Sequence, residues 1–395
     1  MPEADWITAL EGPSRRTLLD GLRALPLEAL RTQPPPRLQG LPFGFEPGIF
    51  LRHLRRQTCQ FSPSGFAGLY RRRLTSRESA TFSALVLGTP LSCGGWLDLI
   101  GARQFDKWLK NALLTEGSGD AFTSRFRVRS IGPLALVIDP LNIRFENRVH
   151  LGSDSLKMIE FLERRALPRS GRFLDVGTGS GAILLHAGGN HRYDERIGVD
   201  INPRAVKLAG FNAALNGLES CKFTEQDIFE PTGDLGSFDL VTWNTPMRFF
   251  PESFKTSNVD GFGGHMGIEI GLKLVDALPD LLAAGGVAYL KTLGPVLRDG
   301  RRVLDEELSK RSSSRKLDTN IFILQSAWDT QLREFHAKFN ITRFEDSILE
   351  IRRGKGTLRR VGAPFGERMM NGVRWLTHSL RKAGMLGLPP RPPNR

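Results

Sequence analysis

A chain of 395 residues, 40% apolar and 25% charged, has the balance of a soluble globular protein large enough for two or more domains. Its three cysteines, Cys59, Cys93 and Cys221, lie far apart without paired histidines, which argues against a disulfide framework or a zinc site and predicts a reducing, cytoplasmic setting. The net charge of +13 is uneven: residues 351–395 hold eleven Lys or Arg against the single acid Glu367, so the basicity belongs mostly to the tail and says little about the body.

The opening Met1-Pro2-Glu3-Ala4-Asp5-Trp6 lacks the basic and apolar regions of a secretion signal, and no apolar run approaches membrane-spanning length. Residues 1–45 read as a helical arm, with helical patterns at 15–24 and 27–32 and a linker-like turn at Pro34-Pro35-Pro36. In the next stretch, 46–145, Arg71-Arg72-Arg73 reads first as a solvated face and second as a nucleic-acid contact, and a helix is predicted over 76–87. Trp96, Leu97, Leu99 and Ile100, then Phe105, Trp108, Leu109, Leu113 and Leu114, have helical spacing broken at Gly101. Strands at 122–128 and 134–139 follow, separated by Ile131-Gly132-Pro133. Helices followed by a two-stranded wing suggest a winged-helix-like α+β module. Such a module packs on a neighbouring domain, caps a site or binds DNA, and packing is the favoured reading.

A bridge, Val149-His150-Leu151-Gly152-Ser153-Asp154-Ser155, leads into a helix predicted over 156–165 with Ser153 or Asp154 as its N-cap. Next comes Phe173-Leu174-Asp175-Val176-Gly177-Thr178-Gly179-Ser180-Gly181, a buried strand ending in an acid and a glycine turn, with an apolar helix from Ala182. Glycines at 177, 179 and 181 allow a sharp turn and close approach to a ligand, which then faces the free N–H groups of the helix start. The spacing is G-x-G-x-G, one residue short of a dinucleotide fingerprint.

From here strands and helices alternate. Further strands are predicted at 196–201, 222–224, 237–243, 287–291, 320–325 and 347–351, with helices at 203–216, 267–284, 296–309 and 328–339. The expected architecture over 146–355 is a Rossmann-like, seven-stranded, mostly parallel sheet with helices on both faces, followed by a basic tail from 356 to 395. Ligands of such sheets lie beyond the carboxyl ends of the strands, where strand order reverses. Asp175, Asp200, Asp227 and Asn244 fall at four such ends. Asp200 stands where an acid gripping a ribose diol belongs, and a carboxylate takes both hydroxyls at once. Each Asp alone is equally well read as a helix cap; the series together favours a ligand.

Residues 171–293 resemble a class I S-adenosylmethionine-dependent methyltransferase, in the branch of the release-factor glutamine N5-methyltransferases and N6-adenine-type enzymes. The matching pieces are Asp175 to Gly181, Gly198-Val199-Asp200-Ile201-Asn202-Pro203, Gln226-Asp227-Ile228-Phe229 and Phe238 to Val241 leading to Asn244-Thr245-Pro246. The resemblance implies S-adenosyl-L-methionine as cofactor. It places the methionine part on Gly177, Thr178, Gly179 and Gly181 with Asp175 near the amino group. The ribose falls on Asp200 beside Ile201, and the adenine on Asp227 and Ile228. Asn244 and Pro246 become the catalytic pair that positions an acceptor nitrogen, and Asn244 counts among the cofactor-binding residues as well.

The branch usually continues the Asn with Pro-Pro and an aromatic residue, whereas this chain has Thr245 and Met247. A flipped base wants aromatic stacking, so an amide-like nitrogen is the favoured acceptor over a nucleic-acid base. Phe249 and Phe250 stand near enough to replace the ring or to pack the loop. O- or N-methylation of a small molecule, and a nucleic-acid-binding protein with an inactive methyltransferase fold, are the alternatives. His265 and His186 receive no catalytic role. In the tail, Met369, Val373, Leu376 and Leu380 form one face of a helix, read as docking on the body, with anionic-membrane or nucleic-acid contact through 351–395 as alternatives.

Overall fold

A computed structural model describes residues 6–27, 75–140, 147–189, 193–230, 235–254, 261–327 and 332–362. The triple proline at 34–36, the triple arginine at 71–73 and the tail stripe from Met369 to Leu380 lie outside the described residues, as do most of the helix read at 27–32 and the start of that read at 328–339.

Helix α1 (Gly12–Arg23) carries Pro13 in its first turn, where the missing N–H has no helical partner to lose. Its Leu18 and Leu22 are fully buried in an apolar cluster shared with Trp96, Trp108, Leu208 and Phe211. Helix α2 (Ser76–Thr81) opens on a reciprocal cap: the Thr75 hydroxyl accepts from the Glu78 N–H while the Glu78 carboxylate accepts from the Thr75 N–H. It runs on as a π-helical turn, Phe82–Leu87. Then come β1 (Leu91–Ser92), α3 (Cys93–Ile100), α4 (Ala102–Lys110), β2 (Leu114–Glu116) and β3 (Ala121–Ser124), the strands pairing in the order β1-β3-β2. A separate hairpin follows, β4 (Arg127–Ile131) with β5 (Leu134–Ile138).

The strand read at 122–128 is therefore two strands in two sheets. The Ser124 hydroxyl bonds both the C=O and the N–H of Phe126, a local side-chain turn that ends β3 and re-aims the chain. Besides β1, β3 pairs with β2, on residues whose apolar spacing had read as the end of a helix. Helix α5 (Ser153–Leu162) begins earlier than predicted, after Gly152 and without a side-chain cap, so neither Ser153 nor Asp154 is its N-cap.

The large sheet has eight strands among the described residues, in the order β13-β11-β12-β10-β9-β6-β7-β8. They are β6 (Arg172–Val176), β7 (Glu195–Asp200), β8 (Cys221–Glu225), β9 (Phe238–Asn244), β10 (Leu282–Leu297), β11 (Leu317–Ala327), β12 (Ile341–Arg353) and β13 (Leu358–Val361). Between them run α6 (Ala182–Gly189), α7 (Pro203–Leu215), α8 (Glu269–Leu281), α9 (Val303–Arg315) and the short α10 (Arg333–Ala337). Strand β12 is antiparallel to both neighbours, and the other pairings are parallel. Strand side chains alternate between two cores: Phe173, Leu240 and Val287 enter one, Leu174, Val241 and Ala288 the other.

Two readings are corrected here. Among the described residues the sheet has eight strands rather than seven, because β13 lies in what read as basic tail. The helix read at 296–309 starts only at Val303, since Val296 and Leu297 still pair with Arg343 and Ile341 of β12. Strand β9 ends at Asn244 opposite Lys291, so beyond that point β10 is an edge strand, where Pro295 is tolerated.

The N-terminal elements are fastened to α7. Buried Asp139 accepts hydrogen bonds from the Trp6 indole (3.0 Å), the Val149 N–H (2.8 Å) and the Arg204 guanidinium (Nε, 2.8 Å). Asn212 and Asn216 pair with the backbone of β5: each amide oxygen accepts from the N–H of Val137 or Ala135, and each amide nitrogen donates to the carbonyl of the same residue. The helix side chains thus complete the open edge of the hairpin.

Candidate active site

The strand order reverses at β6, between β7 and β9, and the glycine turn sits at that point. Gly177, Gly179 and Gly181 have φ of +57°, +55° and +79°, conformations that a Cβ would strain. A Cβ on Gly177 would stand 2.8 Å from the Trp243 indole nitrogen, whereas one on Gly179 would meet nothing nearer than the Gly177 carbonyl at 3.9 Å. The turn is packed below and open above Gly179.

Asp175 lies under this turn, 1% exposed. Its two carboxylate oxygens accept from the hydroxyls of Thr242 (2.6 Å) and Thr178 (2.8 Å). Burial pushes its carboxyl up to about 7; the two hydroxyls oppose that and nearby Asp200 adds to it. Between the ordinary value of 3.8 and about 7, the folded chain holds a proton that the unfolded chain has lost. This group's contribution to stability therefore falls as pH rises through that window and is flat above it. Urea denaturation from pH 4 to 8 checks this: Asp175→Asn should lose that falling component, and identical slopes in both proteins would refute it.

Asp200 ties the turn to the end of β7. One oxygen accepts from the Gly179 N–H (2.8 Å), the other from the Asn202 N–H (2.9 Å). Asp175, Thr178, Gly179 and Asp200 thus form one hydrogen-bonded unit. Beside it, Ile201 is 54% exposed, and Ile201, Gln226, Asp227 and Glu230 line an open groove of about 470 Å³. The Asp227 carboxylate accepts from the Phe229 N–H (2.9 Å), fixing the loop after β8. Ile228 is half-buried and packs on the core, so the apolar surfaces facing outward here are Ile201 and Phe229. An acid, an exposed aliphatic side chain and a glycine turn with room above it suit a nucleoside joined to a short polar chain.

Asn244 belongs to a second group of residues. Its Nδ2 donates to Ser155 Oγ at 3.1 Å, and its Oδ1 is buried with no hydrogen-bond partner among the described residues. Leaving a carbonyl oxygen buried and unpaired costs about 1–3 kcal/mol, so this acceptor is set for a donor that arrives from outside. Thr245 is buried with its hydroxyl and N–H both on the Lys291 carbonyl (2.8 and 3.2 Å), and Pro246 is half-buried in the turn that follows. Met247 is buried with its sulfur 3.7 Å from Lys291 Nζ. Phe249 packs among Phe335, His336 and Phe339, and its carbonyl lies 2.9 Å from His336 Nε2. It packs the loop. His265 is exposed with its ring against Phe249, and His186 lies 2.9 Å from Glu163 on the far side of α6.

Four charged side chains to which the sequence assigned no part in the site, Asp154 having been read only as a helix cap, surround this group. Lys291 is fully buried, paired with Asp346 and 3.8 Å from Asp154. Lys157 reaches Asp346 at 2.7 Å and Asp154 at 3.2 Å. For Asp154, burial alone would raise the carboxyl, but Lys291, Lys157 and Arg248 outweigh it and hold it below its ordinary range. Burial likewise opposes the Lys157 charge, and the two aspartates reverse that and raise it. The signal available was a lysine closing the apolar run Val287 to Leu290 and an aspartate just before the apolar run of β12.

Residues 168–291 match the family model described as a methyltransferase domain. The chain is similar to a putative protein N5-glutamine methyltransferase of Methanocaldococcus jannaschii, 38% identical over 120 residues, covering 30% of this chain and 59% of that protein. A release factor glutamine methyltransferase of Aliivibrio fischeri is 30% identical over 122 residues, covering 28% of this chain and 43% of that protein. That of Lactococcus lactis is 26% identical over 210 residues, covering 50% of this chain and 73% of that protein. The chain spans about half the length of the first two of these relatives.

Proposed function

We propose, from the premise that residues 168–291 are a class I S-adenosylmethionine-dependent methyltransferase domain, that the chain methylates the side-chain amide nitrogen of a protein glutamine. The observation that carries the choice of acceptor is the buried, unpaired Oδ1 of Asn244. It calls for a hydrogen-bond donor, and a primary amide supplies one while turning its nitrogen towards the cofactor side of the site. When bound, the cofactor supplies an electrophilic methyl on a sulfonium sulfur. The protein's part is then positioning: Asn244 Oδ1 takes one amide hydrogen, and half-buried Pro246 shapes the wall behind it. The names of the two relatives, which act on glutamine, support the same reading.

On the cofactor side, the turn Gly177, Thr178, Gly179 and Gly181 holds the methionine part, Asp200 the ribose hydroxyls, and Asp227 with Ile201 the adenine. Ile228 backs that pocket from the core. Asp175, with both oxygens on threonine hydroxyls, braces the turn from below. The domain division is proposed as an arm at 1–45, a module at 46–145, the methyltransferase at 146–355 and a basic tail from 356, with β13 (Leu358–Val361) of that tail pairing into the sheet. The order helix, strand, two helices and hairpin, with strands paired β1-β3-β2, supports a winged-helix-like module. Helix α1 lies across its α4, through Gln104 to the Thr17 carbonyl and Ser14 to Asn111. That favours packing over DNA reading.

Two measurements test this. Asp200→Ala should weaken S-adenosylmethionine binding by about 10–100-fold in calorimetry, the loss of hydrogen bonds to a charged group. With methyl-labelled cofactor and a fractionated lysate of the source organism, label should enter protein at glutamine; label confined to RNA, DNA or metabolites would overturn the acceptor.

A further inference from the structure

We propose that Ser155 is a positioning residue for the acceptor nitrogen, and that Asp154, Lys157, Lys291 and Asp346 form the clamp that holds it in place. This rests on the amide-methylation reading above and deepens it.

An asparagine amide has two ends of nearly equal size that differ only in hydrogen-bonding sense. An acceptor N–H is welcomed by the oxygen and repelled by the nitrogen, so Asn244 works only if its nitrogen is satisfied elsewhere. Ser155 Oγ, 3.1 Å from Nδ2, meets that need. Without it, one end of the amide stays unsatisfied in either orientation, and nothing keeps Oδ1 facing the acceptor.

Ser155 lies in the first turn of α5, which has no side-chain N-cap to fix it. Its neighbour Asp154 and, one turn on, Lys157 fix it instead, through Lys291 on β10 and Asp346 on β12. Lys291 pairs in register with Asn244 itself. The clamp therefore spans α5, β10 and β12 within one strand of the acceptor site. Lys291 and Asp346 are 0% and 1% exposed and each charge in the clamp has an opposite partner, so its role is to hold rather than to bind substrate. Ser155, Asp154, Lys157 and Asp346 also lie outside the segment 168–291 that matches the family model.

The test uses the full chain, methyl-labelled S-adenosylmethionine and the protein fraction of the source organism's lysate. Ser155→Ala should lower kcat by about 10–100-fold, the scale of a small misplacement, with KM and the calorimetric cofactor Kd within about threefold. Ser155→Thr, which keeps the hydroxyl, should recover most of the rate. Asp154→Asn should lower kcat in the same way, and the double variant should be no worse than Ser155→Ala, because both act through one amide. An unchanged rate in Ser155→Ala, equal loss in the Thr variant, or lost cofactor binding would overturn the role of Ser155. Additive losses would overturn the clamp. If wild type puts no label into protein, the acceptor reading itself fails, a result distinct from all of these.

Discussion

Asn244→Ala is expected to lower methyl transfer by about two to three orders of magnitude while leaving the affinity for S-adenosylmethionine within about threefold. Removing one preorganised hydrogen-bonding group from a transition state typically has that effect. Here the group is isolated enough for a clean result. Its nitrogen bonds Ser155, its oxygen bonds nothing among the described residues, and the residues proposed for the cofactor lie on the ends of β6, β7 and β8. Asn244→Asp keeps an oxygen facing the acceptor and should fall between wild type and alanine. Single-turnover rates with cofactor in excess, beside calorimetric Kd, check both. An alanine variant that still turns over at the wild-type rate would remove Asn244 from the mechanism.

The largest expected effect on stability is at Asp139. Its side chain is fully buried, its carboxylate takes the Arg204 guanidinium through both oxygens, and the same two atoms receive the Trp6 indole and the Val149 N–H. Asp139→Ala removes both carboxylate contacts from the Arg204 guanidinium, whose charge stays buried beside the Trp6 ring. Breaking a buried pair from one side costs about 3–5 kcal/mol, and the midpoint of urea unfolding should drop accordingly. Asp139→Asn keeps one acceptor and should lose less. If the alanine variant lost under about 1 kcal/mol, the range of exposed pairs, the joint would be ornamental.

Much of this was legible from the chain alone because it is local. Alternating strands and helices fixed the class of sheet, and the glycine spacing placed the turn at the strand-order reversal. The four polar strand ends Asp175, Asp200, Asp227 and Asn244 do line the carboxyl edge of β6 to β9. What escaped was non-local or disguised. Strand β13 carries Arg359 and Arg360 at the sheet edge, where charge is usual and apolar alternation is not expected. The strand read at 287–291 runs on through Gly294 and Pro295, because beyond Lys291 the β10 ladder has a partner on one side only. Ser155 and the charged clamp need contacts between residues as far apart as Lys157 and Asp346, 189 positions along the chain, which no local pattern reports.

The joint between hairpin and helix has a bearing on how such chains can diverge. Asn212 and Asn216 address the peptide groups of Ala135 and Val137, and peptide groups are the same whatever side chain they carry. Replacement at 135 should thus be forgiven by natural variation, while the two asparagines answering it from the helix have no equivalent substitute. In any collection of descendants of this chain, position 135 should drift more freely than either asparagine.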